Sequence, residues 1–245
     1  MLGRRNTFKY HKTLAPKVWE NNLTMNALVV NTLQAIALEF IRYMNDIVGL
    51  PITKKDVQDI WVHGSITNYY WDKYSDIDLA LIVNPRSPYL ANPELNRKLF
   101  DRSFVSSWMR TFDVSIFGRK VDISIINLEK ECKVGPIYSI FKDKWIVTPQ
   151  RLSKQELRKI RSIAKQRYKI IMQHCRYMLK HEMPADYIEA YLAAMQSRRT
   201  VGMLQQRDQP ITSMTMAFKM VRNTGIFRKL RRHIKHDRSK KFQLL

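Results

Sequence analysis

The 245-residue chain carries 43 lysines and arginines against 21 acids, a formal net charge of +22, with 45% hydrophobic and 26% charged residues. That length allows one large domain or two small ones, and the composition excludes a disordered or collagen-like chain. The charge is uneven. Residues 1–150 hold 20 basic and 15 acidic residues, while 151–245 hold 23 and 6. An excess of that size points to a polyanion such as RNA, DNA or an anionic surface, the alternative being a solvated basic helical face.

The first twelve residues, MLGRRNTFKYHK, are basic but lead into no apolar run, which argues against a secretory signal. Val29, Leu33, Ile36, Phe40 and Ile47 recur at helical spacing and predict a helix over about 24–48, stopped by Gly49. Within it, Ala27 to Ile41 is broken by Asn31, Thr32, Gln34 and Glu39, too short and too polar to span a bilayer. Thr53 to Asp56 has the spacing of a capping box opening a short helical turn. Ile60-Trp61-Val62 is a buried strand ending at Gly64-Ser65, and 66–74 is a loop or short helix. From Asp76 to Val83, Ile77, Leu79 and Leu81 point one way while Asp76, Asp78 and Ala80 point the other. Residues 94–110 read as one helix.

A hairpin follows, with Phe112, Val114 and Ile116 alternating and Gly118-Arg119 as its turn. Val121, Ile123 and Ile125 then share one face, and Lys120, Asp122 and Ser124 the other. Beyond Pro149 the pattern is helical only. Ser153 and Glu156 form a capping box before a long helix ending near Pro184. Further helices fit 185–207, the segment after Pro210 and Ser213 up to Gly225, and about 226–236, with a frayed tail after 237. Cys132 and Cys175 form neither a disulfide framework nor a metal-ligand pattern, which fits a reducing compartment. The expected fold is α+β, a mixed sheet core followed by an all-helical region. Its expected domains are 1–150, catalytic, and 151–245, basic and helical.

Asp76 and Asp78 stand at i and i+2 on one strand, so they share a face about 6–7 Å apart. Two carboxylates repel in a partly dry site, and a divalent cation offsets that repulsion. Oxygen donors select Mg²⁺ or Mn²⁺. Asp122 adds a third carboxylate on a later strand. Three such groups can hold two ions about 4 Å apart, one orienting a triphosphate and one activating an acceptor hydroxyl. Asp122 is the candidate to ligate the second ion and take the proton. Gly64 lets the backbone approach phosphates, and the amides and hydroxyl at Ser65 can donate to them.

The ordered set is an apolar strand ending in Gly64-Ser65, ten residues, the apolar-flanked Asp76-Ile77-Asp78-Leu79, then Asp122. It resembles the DNA polymerase β-like nucleotidyltransferase superfamily, and within it the predicted nucleotidyltransferases of large tailed phages and related viruses. Leu14 to Trp19, Gly135 to Tyr138 through Trp145 to Pro149, and Phe218 to Asn223 are similar to segments of that group. The resemblance implies that Gly64 and Ser65 bind nucleotide phosphates and that Asp76, Asp78 and Asp122 are the metal triad. His63 departs from the pattern and reads as a packed residue rather than a catalyst.

Asn68, Tyr69 and Tyr70 are candidates to contact base or ribose, against ordinary loop packing. Lys219 and Arg222, at i and i+3, could reach a triphosphate, against a solvated helix. Arg228, Lys229, Arg231, Arg232 and Lys235 could track a nucleic-acid backbone, and Arg158, Arg161, Lys165 and Lys169 could extend that surface. The expected activity is transfer of an NMP from an NTP, ATP first among donors, to an RNA hydroxyl. The competing readings are modification of a host protein or small molecule, and a non-catalytic nucleic-acid-binding protein on the same scaffold. The basic surface disfavours a cationic small molecule. No membrane association is expected, and the expected location is cytoplasmic, the host's if the chain is viral.

Overall fold

The computed structural model describes residues 8–21, 23–50, 52–127, 135–205 and 210–242. Cys132, residues 1–7 and residues 206, 207 and 243–245, which the sequence reading touches, lie outside them. The described residues divide into two compact units, Lys9–Gln150 and Arg151 onward together with Phe8.

The first unit opens with a two-stranded ribbon, β1 (Trp19–Glu20) and β2 (Thr24–Met25), then α1 (Ala27–Asp46). Asn26 caps α1, its side-chain oxygen accepting from the amides of Leu28 and Val29. Then come β3 (Val57–His63), β4 (Ile77–Val83), α2 (Pro88–Ala91), α3 (Pro93–Leu99) and α4 (Arg102–Phe112). The strands β5 (Ser115–Ile116), β6 (Arg119–Ile126), β7 (Ile137–Ser139) and β8 (Lys144–Val147) complete the unit.

Six strands form one mixed sheet in the order β5-β6-β4-β3-β7-β8, with β4 and β6 parallel and the other neighbours antiparallel. A parallel pair needs a crossover, and α2 to α4 supply it. Ile60, Val62, Leu79, Leu81, Val121 and Ile123 face one core with Leu33, Phe40 and Met44 of α1 and Trp108 of α4. Burying that face between helices and sheet leaves the alternate residues of β3, β4 and β6 for the other face.

The helix α1 differs from the sequence expectation in one respect. Its 20 residues, with mean hydropathy 1.2, are long and apolar enough to cross a membrane by length and composition. In this fold its stripe of Val29, Leu33, Ile36, Ala37, Phe40, Ile41 and Met44 is buried in the core. The capping box at Thr53 is present. The expected single helix over 94–110 is two helices, because Asp101 leaves helical geometry and caps α4 through the amide of Ser103. The hairpin turn is Phe117-Gly118 rather than Gly118-Arg119. Ile116 pairs with Arg119, and Phe117 and Gly118 both have positive φ, 50° and 71°. Phe112 belongs to α4. Strands β7 and β8 and the β1–β2 ribbon are additions to the sequence reading.

The second unit is helical: α5 (Lys154–Lys180), α6 (Ala185–Gln205), α7 (Ser213–Asn223) and α8 (Ile226–Phe242). The Ser153–Glu156 capping box opens α5. Ala164, Ile171, Met172, Cys175, Ile188, Met195, Val221 and Leu230 are buried in this unit. The α8 helix runs past the expected stop near 236. Asp237 accepts from the amide of Ala185 at the start of α6, and Arg238 pairs with Glu189 of α6. Those contacts give the last turns of α8 a partner, where the sequence alone suggests fraying.

Candidate active site

The residues of β3, β4 and β6 that alternate with the main core carry the site. His63 of β3 pairs with Asp78 of β4, and Asp78 pairs in parallel register with Asp122 of β6. One imidazole and two carboxylates therefore stand in a row across three strands, with about 4.8 Å between neighbours. The next row toward the sheet interior is Trp61, Ala80 and Ser124, with Ser139 of β7 beside Trp61. Asp76 precedes the first paired residue of β4 by one position.

Gly64 leaves the row's end at φ +83°, and a Cβ built on it would lie 1.8 Å from Oδ2 of Asp78. Only glycine lets the Asp78 carboxylate occupy that space. The turn is braced from beneath. Asn68, 2% exposed, donates its side-chain amide to the Gly64 carbonyl at 2.9 Å. Thr67 donates to the same carbonyl at 2.8 Å. The Ser65 hydroxyl donates to Oγ of Ser75 at 2.8 Å and so ties the turn to the loop before Asp76. Tyr69 and Tyr70 are buried, which is the packing reading of those residues.

Nothing in the sequence pattern singles out Arg119. Its guanidinium donates to the carbonyls of Asp72 and Ser75, at 2.9 and 2.8 Å, and lies over the Trp71 ring. Burial lowers its pKa, and the carboxylates of Asp72 and Asp76 oppose that. A cation is thereby locked against the loop that delivers Asp76. On the opposite side, Lys120 stands 4.0 Å from Asp122, a half-exposed pair of small energetic weight.

A cavity of about 380 Å³ adjoins Asp78 and Asp122. His63 and Ser124 line it from the sheet, and Phe100, Arg102, Ser106 and Met109 from the α3–α4 region. Because β5 is only two residues long, β6 beyond Val121 has no strand partner on that side among the described residues. Arg102 and Ser106 were not candidates from sequence. Their place beside the cavity follows from the start of α4 at Arg102, which the uninterrupted helical spacing of 94–110 conceals.

The donor set suits a hard divalent cation, since it is made of carboxylate oxygens on adjacent strands. As their side chains stand, no group of three His, Cys, Asp or Glu is gathered closely enough to hold an ion among the described residues. The backbone register brings Asp78 and Asp122 side by side on neighbouring strands. Lys219 and Arg222 lie on α7 of the helical unit, with Lys219 buried at 4% exposure. Arg228, Lys229, Arg231, Arg232 and Lys235 are all exposed on α8, whose Ile226, Phe227, Leu230 and Ile234 are buried.

Residues 50–148 match the family model of the nucleotidyltransferase domain. The match runs from the segment before β3 to the end of β8 and so contains Gly64, Ser65, Asp76, Asp78 and Asp122. The nucleotidyltransferase domain supports a general transfer of a nucleotidyl group by this chain. Comparison with curated proteins and with solved structures gave no match.

Proposed function

We propose that the protein transfers an NMP from an NTP, ATP being the expected donor, to a hydroxyl of an RNA acceptor in a divalent-metal-dependent reaction. The observation that carries this is the lateral pairing of Asp78 with Asp122 beside a glycine whose missing Cβ admits the carboxylate. Asp78 and Asp122 would hold the ion, with Asp76 joining from the residue before β4. Magnesium or manganese, when bound, supplies Lewis-acid stabilisation of charge developing on the phosphates.

The chain's own groups do the rest. The backbone amides of the Gly64-Ser65 turn, beside the Asp78 carboxylate, are the donors that would receive the triphosphate. Arg102 and Ser106 line the adjoining cavity and can donate to phosphate or acceptor oxygens. The acceptor oxygen attacks the α-phosphorus as the bond to the pyrophosphate breaks. Asp122, at the β6 end of the carboxylate row, accepts the hydroxyl proton. The net charge of the helical half supports a polyanionic acceptor.

The test is incubation of the purified chain with α-labelled NTPs, Mg²⁺ and total RNA beside the Asp78→Asn/Asp122→Asn double variant. Labelled RNA that depends on both carboxylates is the expected result. No product above the variant rejects the reading, and a labelled protein band reassigns the acceptor.

A further inference from the structure

Within the helical unit, an open groove of about 600 Å³ runs between α5 and α6. Tyr177 of α5 and Tyr187 and Tyr191 of α6 line it together with His174, Arg167 and Arg198. A second cavity, of about 270 Å³, is bounded by the same two arginines with Ser197, Thr212 and Ser213. The arginines therefore stand where an aromatic cavity meets a polar one. Tyr177 and Tyr187 are 56% and 54% exposed; the Tyr177 ring lies 4.2 Å from that of His181 and is otherwise open to solvent.

Among the described residues no carboxylate lines either cavity, and neither arginine has an acidic partner. Rings with a polar tip attract flat, amphipathic groups, and uncompensated guanidinium groups attract phosphate. The combination is that of a base-and-phosphate binder. An apolar peptide would leave both arginines unanswered. A second copy of this chain would bring 23 basic against 6 acidic residues over 151–245 against a like surface.

We propose that the α5–α6 groove binds single-stranded nucleic acid, with unpaired bases stacked on Tyr177 and Tyr187 and a backbone phosphate between Arg167 and Arg198. The larger cavity has room for one or two nucleotides on the usual scale of ligand pockets. As the seat of the acceptor this rests on the transfer reading above; as a binding site it does not.

The experiment uses the full chain without NTP or divalent ion, and follows the fluorescence anisotropy of labelled eight-nucleotide oligomers. The probes are a ribo-oligomer, a deoxyribo-oligomer, an abasic backbone of equal length, and a duplex. The wild type should prefer the single strands to the abasic chain by about tenfold per stacked base. Tyr177→Ala/Tyr187→Ala should abolish that preference while keeping its circular dichroism. Arg167→Gln/Arg198→Gln should flatten the salt dependence by about 0.7 in log–log slope for each phosphate it no longer neutralises. Asp78→Asn/Asp122→Asn should bind like wild type, so a failure of transfer leaves this result standing. Tyrosine-dependent binding of either the ribo- or the deoxyribo-oligomer supports the site. Unchanged binding by a folded tyrosine variant, equal affinity for the abasic chain, or a wild-type dimer that the tyrosine variant dissolves would each overturn it.

Discussion

Gly64→Ala isolates the close approach on which the site depends. The new methyl would begin 1.8 Å from Oδ2 and 2.9 Å from Cγ of Asp78. Side-chain Cβ atoms do not approach other atoms closer than 3.0 Å. The carboxylate must therefore retreat by about 1.2 Å, and a misplacement of about 1 Å in a reacting constellation costs roughly 10²-fold in rate. The backbone adds its own cost, since an L-residue at φ +83° loses about 1–2 kcal/mol. Gly49→Ala provides the control. Its φ is +70° and a Cβ there meets nothing within 4 Å. Both variants should melt about 2–8 °C below wild type. Only Gly64→Ala should lose about 100-fold in labelled NMP transfer under saturating NTP and Mg²⁺. Equal activity of the two variants would refute the claim that the Asp78 carboxylate must sit in the space that glycine leaves.

The remaining predictions concern charge, burial and reactivity. Asp78→Asn/Asp122→Asn should cost at least about 10²-fold in transfer, the scale of several kcal/mol of lost charge stabilisation. Its metal-free melting temperature should equal or exceed that of wild type, because two neighbouring carboxylates repel; added Mn²⁺ should raise the melting temperature of wild type only. Asp59 is 3% exposed and accepts from Ser139, Trp61 and the Ile60 amide, so Asp59→Ala should destabilise by about 2–4 kcal/mol in urea titration as its donors go unanswered. Burial pushes the Cys175 thiol up to about 12, leaving almost no thiolate near neutral pH. In a Cys132→Ser background it should react with a disulfide reagent only after denaturation, and rapid native labelling would contradict its buried position.

The acidic face of β4 and that of β6 were legible because strict alternation puts Asp78 and Asp122 opposite the apolar residues that fill the core. Their side-by-side pairing was not, since strand order and register are long-range properties that one strand's pattern does not contain. The same reason hid His63 at the end of the row and Arg102 in the adjoining cavity. Local signals were reliable where a side chain answers a backbone group nearby, as at Thr53 and Ser153. They failed where a residue broke its own preference. Phe117 takes a positive φ that favours small or polar residues, which made Gly118-Arg119 the more natural turn. The three-residue β7 and the largely exposed β8 carry too little apolar alternation to stand out.

Crystals grown with a non-hydrolysable NTP and Mn²⁺, measured at the manganese absorption edge, would report the ion's position directly. The expected result is an anomalous peak at the ligand distance of hard divalent ions, about 2.0–2.6 Å, from carboxylate oxygens of both Asp78 and Asp122, with the phosphates against the Gly64-Ser65 turn. A nucleotide and ion bound elsewhere, with those two carboxylates free of metal, would contradict a shared-ion site.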